Sequence, residues 1–290
     1  PVILKYQFAG GGFGEMTKNT FEVTFWGVRG SLPIPGPHTI KYGGNTSCVQ
    51  AQIGQRLFIM DAGTGIHHLG QHLLKSQSQI SGEIFISHTH WDHIQGFPFF
   101  APAFIKGNRF ILYGQSKVNS TFADLMKGQM TYQHFPVSLG EMGASIEFHE
   151  LDSGSELDLG DQIRLRTVHT NHPNGSLAYR LDHDGRSCCY ITDTEHYSCI
   201  DPRLKAFCEQ TDLMIYDSNY TDEEYPRFLG YGHSTWQEGI KLAQAARAKK
   251  LVLFHHDKAR NDEEMDKIEK EAQRCFSNCI AAREGLVIAL

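Results

Sequence analysis

No apolar run in this 290-residue chain approaches the roughly 18 residues that a membrane span requires, and no basic opening segment leads into an apolar stretch as in an export signal. A soluble, cytoplasmic protein is therefore expected. Cysteine is sparse and unpaired: the seven residues include no CxxC, so neither a disulfide framework nor a thiolate zinc site is expected. Cys275 and Cys279, spaced by one helical turn, read as small buried hydrophobes. Positive charge is also lacking. A net charge of −6 argues against a sequence-independent grip on nucleic acid, which needs Lys and Arg to displace counterions. Tryptophan occurs three times, but histidine sixteen times, and that excess points towards metal.

What remains is an ordinary globular composition, 40% hydrophobic and 21% charged. Residues 1–15 end in the Gly-rich "GGGFGE" just before Met16 and read as a tag or an upstream remnant; residues 16–290 read as one domain. From Phe21 onward short apolar runs alternate with amphipathic segments. "FEVTFWGV", "SCVQAQI", "RLFIM", "EIFIS", "RFILYG", "SIEFHEL", "QIRLRTVHT", "SLAYRLD", "SCCYITD", "DLMIYDS", "KLVLFHH" and "GLVIA" read as strands. "GIHHLGQHLLK", "KVNSTFADLMKG", "DPRLKAFCEQ", "STWQEGIKLAQAARAKK" and a charged segment near 261–275 read as helices. Two packed sheets with helices outside, an α/β arrangement, follow from that order.

Polar residues cluster where the predicted strands end, the usual place for ligands in layered α/β folds. "FISHTHWDHIQG" packs His88, His90, Asp92 and His93 into six positions behind a strand. His172 lies in the turn "NHPNGS", Asp193 follows "CCYIT", and His255 ends "KLVLF". Imidazoles and carboxylates without thiolates suit zinc, with manganese or iron as alternatives, and this set has donors enough for two ions. His256 competes with His255, and His169 with His172. His67, His68 and His72 lie opposite Ile66, Leu69 and Leu73 on a helix and read as solvated. Asp61 either orients a ligand histidine through its second ring nitrogen or caps the following helix.

The HxHxDH motif, followed in order by His172, Asp193 and His255, resembles the metallo-β-lactamase fold superfamily. That resemblance implies an αββα sandwich of two mixed sheets. It implies one ion on His88, His90, His172 and Asp193 and a second on Asp92, His93, Asp193 and His255, with Asp193 bridging. It favours His255 over His256 and places Asp61 behind a ligand. "GYGHSTWQEGIKLAQAA" resembles the phosphodiesterase branch, where His233 and Ser234 would meet the phosphoryl group at a helix N-terminus.

The expected reaction is hydrolysis of a small phosphodiester, such as 3′,5′-cyclic AMP, by a metal-bridging hydroxide, with Asp92 orienting it and His233 acting on the phosphoryl oxygens or the leaving group. Arg29 and Asn45 are candidate substrate contacts, and Arg29 reads equally as a structural ion pair. The alternatives are an RNase Z-like tRNA 3′-processing endoribonuclease, which would carry a basic arm not seen here, and a non-catalytic nucleotide-binding module. A membrane partner and a stable nucleic-acid complex are not expected; a homodimer stays open.

Overall fold

The computed structural model describes residues 20–76 and 78–290, so the expectation for residues 1–15 lies outside the described residues. The first sheet is built from β1 (Phe21–Gly27), β2 (Cys48–Ile53), β3 (Arg56–Met60), β4 (Ser81–Phe85), β5 (Arg109–Gly114) and β6 (Ser145–Glu150) in chain order, with the last strand, β14 (Val287–Ala289), added beside β1. The second contains β7 (Glu156–Asp158), β8 (Ile163–Thr170), β9 (Ser176–His183), β10 (Arg186–Ile191), β11 (Leu213–Asp217), β12 (Leu251–Phe254) and β13 (Cys279–Ala281), again in chain order. Both sheets are mixed. Antiparallel meanders give way to parallel strands at β3 in one and at β10 in the other.

Alternation along these strands decides the layers. Val23, Phe25, Phe58, Phe85, Leu165, Tyr179, Tyr190, Ile215 and Phe254 meet between the sheets in one buried cluster. The opposite face of the first sheet is covered by α1 (Gly65–Ser76) through Ile66, Leu69 and Leu73. The opposite face of the second is covered by α4 (Pro202–Phe207), α5 (Trp236–Ala245) and α6 (Asp262–Cys275) through Leu204, Ile240, Met265 and Ile268. Each such side chain contributes about 1.5–3 kcal/mol on leaving water. The molecule is thus the expected αββα sandwich. No helix among the described residues is long and apolar enough to cross a membrane.

Several boundaries differ from the sequence reading. The fifth helix stops at Ala245 because Arg247 adopts a left-handed backbone (φ 55°) and Ala248 N–H closes on the Ala243 carbonyl. The segment around 117–128 is helical only as α3 (Phe122–Gly128), because Thr121 caps it by accepting from Asp124 N–H. Cys275 and Cys279 do not share a helical face: Cys275 ends α6 exposed, while Cys279 is buried in β13.

One geometric fact positions the site. Strand β8 runs antiparallel to β9, and β9 antiparallel to β10, so β8, β10, β11 and β12 all point the same way. Their carboxyl ends deliver His172, Asp193, Asp217 and His255 to one edge of the second sheet, where the ends of β3 and β4 bring Asp61 and the histidine cluster.

Candidate metal centre

After β4 the chain passes through Ser87, His88 and His90 and then forms a single helical turn, α2 (Trp91–Ile94), which carries Asp92 and His93. Because the backbone changes from extended to helical between His90 and Trp91, two donors precede the helix and two follow on it. Asp61, Asp193 and His255 all have positive φ (61°, 46° and 60°), an uncommon conformation for residues with a Cβ, and each occurs where a strand ends.

Asp193 stands at the middle. Its Oδ2 is 3.6 Å from both His88 Nε2 and His172 Nε2, and its Oδ1 is 3.1 Å from His93 Nε2 and 3.2 Å from His255 Nε2. One oxygen therefore faces each group of imidazoles. His90 joins the first group, with Nδ1 3.1 Å from His172 Nε2. Asp92 joins the second, with Oδ2 3.1 Å from His255 Nε2 and 3.2 Å from His93 Nε2. The ligand atoms of His88, His90, His172 and Asp193 all lie within 4.8 Å of one another, as do those of Asp92, His93 and His255.

Burying Asp61, Asp92, Asp193 and Asp217 together is costly unless positive charge accompanies them. The histidines supply part of the compensation. Burial and the neighbouring histidines would keep His88 neutral, and its pKa lies well below the ordinary 6.5. His93 goes the other way: burial lowers it, but Asp193, Asp92 and Asp61 outweigh that and hold it well above 6.5. Asp193 and Asp92 are held well below the carboxylate range, since nearby histidines overcome the burial that would raise them. His88 Nε2 and His93 Nε2 are buried with no hydrogen-bond partner. Two orphaned ring nitrogens aimed at a shared carboxylate, in a nitrogen and oxygen donor set, fit divalent cations of the zinc, manganese or iron type.

The surrounding bonds fix which nitrogen is free. His93 Nδ1 donates to Asp61 Oδ2 at 2.7 Å, and His172 Nδ1 donates to the Gly232 carbonyl at 2.8 Å, which turns both Nε2 atoms inward. Asp61 also accepts from Ser87 N–H, Ser87 Oγ and Tyr190 Oη, all at 2.7–2.8 Å. It supports a histidine and caps no helix. Thr192 Oγ1 donates to Asp193 Oδ1 at 2.6 Å, and Ser31 N–H donates to Asp92 Oδ2 at 2.7 Å.

His233 lies at the same mouth. Its Nδ1 is 3.0 Å from Asp217 Oδ2 and 3.9 Å from Asp193 Oδ2. Burial lowers its pKa, but Asp217 and then Asp193 outweigh this and lift it to about 9. Asp217 also accepts from Thr194 N–H, tying the Asp193 loop to the His233 loop.

His255, not His256, faces the centre: His256 Nε2 donates to the Ala282 carbonyl on the other side. His169 likewise turns away, to Gln115. His67 and His68 are exposed on α1, and His72 packs against Trp26.

Three expected substrate contacts are misplaced. Arg29 is completely buried and its guanidinium donates to the Gly43, Asp257 and Arg260 carbonyls, so it pins loops together. Asn45 is held through its N–H and Nδ2 by Glu284. Ser234 is buried with Oγ between Tyr216 Oη and His196 Nδ1, both at 3.0 Å. Nor is the α5 N-terminus open to an anion, since Thr235 Oγ1 accepts from Glu238 N–H and Trp236 N–H is directed at the Tyr220 carbonyl.

The sequence reading missed Ser31, Ser87, Tyr190 and Glu195. Glu195 accepts from Tyr225 Oη and Gly230 N–H through Oε1 and from Gly232 N–H through Oε2, and so shapes the loop that carries His233. Its place two residues after Asp193 was the available signal.

The chain is 25% identical to a ribonuclease Z of Azobacteroides pseudotrichonymphae, covering 93% of this chain and 99% of that protein. Its fold matches the metallo-β-lactamase fold protein YhfI from Bacillus subtilis with a TM-score of 0.71 at 20% identity, over 94% of this chain and all of that one. It also matches a diphosphatase from the PhnP family (TM-score 0.66, 19% identity, 92% and 97% covered). Residues 56–256, from β3 through the centre to His256, match the model of the beta-lactamase superfamily domain, and to that superfamily of metal-dependent hydrolases the chain belongs.

Proposed function

We propose that this chain is a dinuclear metal-dependent phosphodiesterase acting on a small phosphodiester, with a 3′,5′-cyclic nucleotide such as cyclic AMP as the substrate class. The observation that carries this reading is Asp193, whose two oxygens address two separate donor groups only a carboxylate's width apart. His88, His90, His172 and Asp193 would hold one ion; Asp92, His93, His255 and Asp193 would hold the other. When bound, such a pair supplies an activated water at neutral pH and neutralises charge on the phosphoryl group.

The remaining work falls to the chain's own side chains. Asp92, fixed by the Ser31 N–H, offers a carboxylate oxygen to orient the attacking water or take its proton. His233, held by Asp217, supplies a proton to the departing alkoxide, which leaves poorly without one. Cations alongside would oppose the carboxylates and bring its pKa down from about 9 towards neutrality, where a general acid works best.

A small substrate is supported by the net charge of −6 and by the lack of a projecting arm among the described residues. The long connection between β5 and β6 folds back through buried Phe122, Met126, Met130 and Met142. Between His172 and Asp193 the chain is only the β9–β10 hairpin. A second reading, cleavage of precursor tRNA, is favoured by the end-to-end similarity to a ribonuclease Z, which also weakens the expectation that no nucleic acid is bound.

The test is hydrolysis of 3′,5′-cyclic AMP, bis-p-nitrophenyl phosphate and a precursor tRNA by protein loaded with zinc or manganese, with metal content measured on the same sample. Turnover of the first two and not of the tRNA is expected. Binding of nucleotide without hydrolysis of any of the three would make the protein a binding module and end the proposal.

A further inference from the structure

Of the three tryptophans, Trp26 and Trp236 are 6% and 7% exposed, whereas Trp91 is 80% exposed. Trp91 lies inside the histidine motif, between His90 and Asp92. A single aromatic left in water is ordinary, but here two more exposed apolar side chains stand on loops that touch the same centre. Tyr231 is 62% exposed and Leu32 is 52% exposed, and each is one residue from a group that touches the centre. Leu32 follows Ser31, whose N–H meets Asp92; Tyr231 precedes Gly232, whose carbonyl receives His172 Nδ1. Because His172 Nε2 is 3.1 Å from His90 Nδ1, Trp91 and Tyr231 leave the backbone at the two ends of one short chain of contacts, His90 to His172 to Gly232.

We propose that Trp91 and Tyr231 form a stacking subsite at the mouth of the centre for a planar group, of nucleobase or aryl class, attached to the substrate phosphodiester. This rests on the phosphodiesterase reading above.

The Tyr231 side is built in advance. Glu195 fixes Gly230 and Gly232 by their N–H groups, Tyr231 meets Phe228 edge-on at 5.8 Å, and Phe228 stacks on buried Tyr220 at 4.4 Å. Gly232 has φ +84°, and a Cβ there would lie 2.3 Å from His172 Nδ1, so this loop is pressed directly against the imidazole. A ring held this way loses little freedom when a ligand arrives. Tyr220 and Tyr225 lie outside the subsite: the first is buried in the stack, and the second is tied to Glu195 and His196.

Trp91 reports on its own occupancy, since the other two indoles are buried. With the metal-loaded full chain, AMP should quench a red-shifted emission component that inorganic phosphate leaves unchanged. Trp91→Phe should abolish that signal while retaining AMP affinity, and Trp91→Ala should weaken AMP binding about tenfold. In turnover, the preference for bis-p-nitrophenyl phosphate over methyl p-nitrophenyl phosphate should fall about tenfold in Trp91→Ala and in Tyr231→Ala, mainly through KM, and recover in Trp91→Phe. Equal losses on both substrates, or AMP binding with no change in Trp91 emission, would overturn the subsite and leave the phosphodiesterase reading standing. Quenching by AMP in a protein that hydrolyses no diester would do the reverse. A Trp91 emission already blue-shifted in the free protein, with a dimer that Trp91→Ala dissolves, would show that a second copy covers this rim and would also overturn it.

Discussion

The two donor groups that meet at Asp193 are unlike. The group of His88, His90 and His172 is all imidazole and includes the exposed His90; its only carboxylate oxygen is Asp193 Oδ2, at 3.6 Å from two ring nitrogens. The group of Asp92, His93 and His255 is buried and brings a carboxylate of its own, 3.1–3.2 Å from both imidazoles. Burial holds His88 in the first towards the neutral form, while the carboxylates around the second hold His93 towards the protonated form. An ion entering the second must displace a proton, and an ion entering the first need not.

Removing the shared member should have the largest effect. Asp193→Ala is expected to take metal content from two ions per chain to none and to lower turnover roughly 10³-fold or more, measured by elemental analysis and diester hydrolysis. Retention of one ion would show that a group stands without its bridge. His233→Ala should keep both ions while turnover falls about 10²–10⁴-fold; unchanged rates on bis-p-nitrophenyl phosphate would remove its proposed role.

Next comes Asp61→Ala. This leaves His93 Nδ1, Ser87 and Tyr190 without their common acceptor in the core, so a loss of about 3 kcal/mol is expected in metal-free denaturant melts, with 10–100-fold weaker binding of the second ion only. Equal weakening of both ions would blur the distinction between the groups.

The pH response of the metal-free protein separates the two directly. His93 has a raised folded pKa, so its contribution is complete below 6.5 and disappears as pH rises through the folded value. His88 has a lowered one, so it favours the folded state above 6.5 and opposes it as pH falls below. The stability lost in His93→Ala should thus be larger at pH 6 than at pH 9, and that lost in His88→Ala larger at pH 8 than at pH 5.5. The same sign for both would contradict the contrast. The smallest effect is expected at His68→Ala, within about 0.5 kcal/mol and with both ions retained, because this histidine is on the exposed face of α1.

Much of this was legible in the residues. Alternation of apolar positions located most of the strands, and a dense histidine motif behind a buried run marked the centre before any geometry was known. What escaped detection depends on contacts distant in sequence. Three-residue edge strands such as β7 and β13 are too short for a period to register. Arg29 looks like an anion ligand in isolation and becomes a loop clasp only when residues 257 and 260 arrive beside it. Ser234 and Thr235 look like an open helix start, but Tyr216, His196 and Tyr220 close it from other elements. Ser31 contributes a main-chain N–H, which side-chain identity cannot reveal.

The left-handed backbone at Asp61, Asp193 and His255 has a further consequence. Such a conformation persists only where the surrounding packing enforces it, and here each of the three residues sits where a strand, β3, β10 or β12, leaves its sheet. The two sheets thus bear the backbone cost of aiming these side chains, so loosening the core behind them should scatter the donors before the chain unfolds.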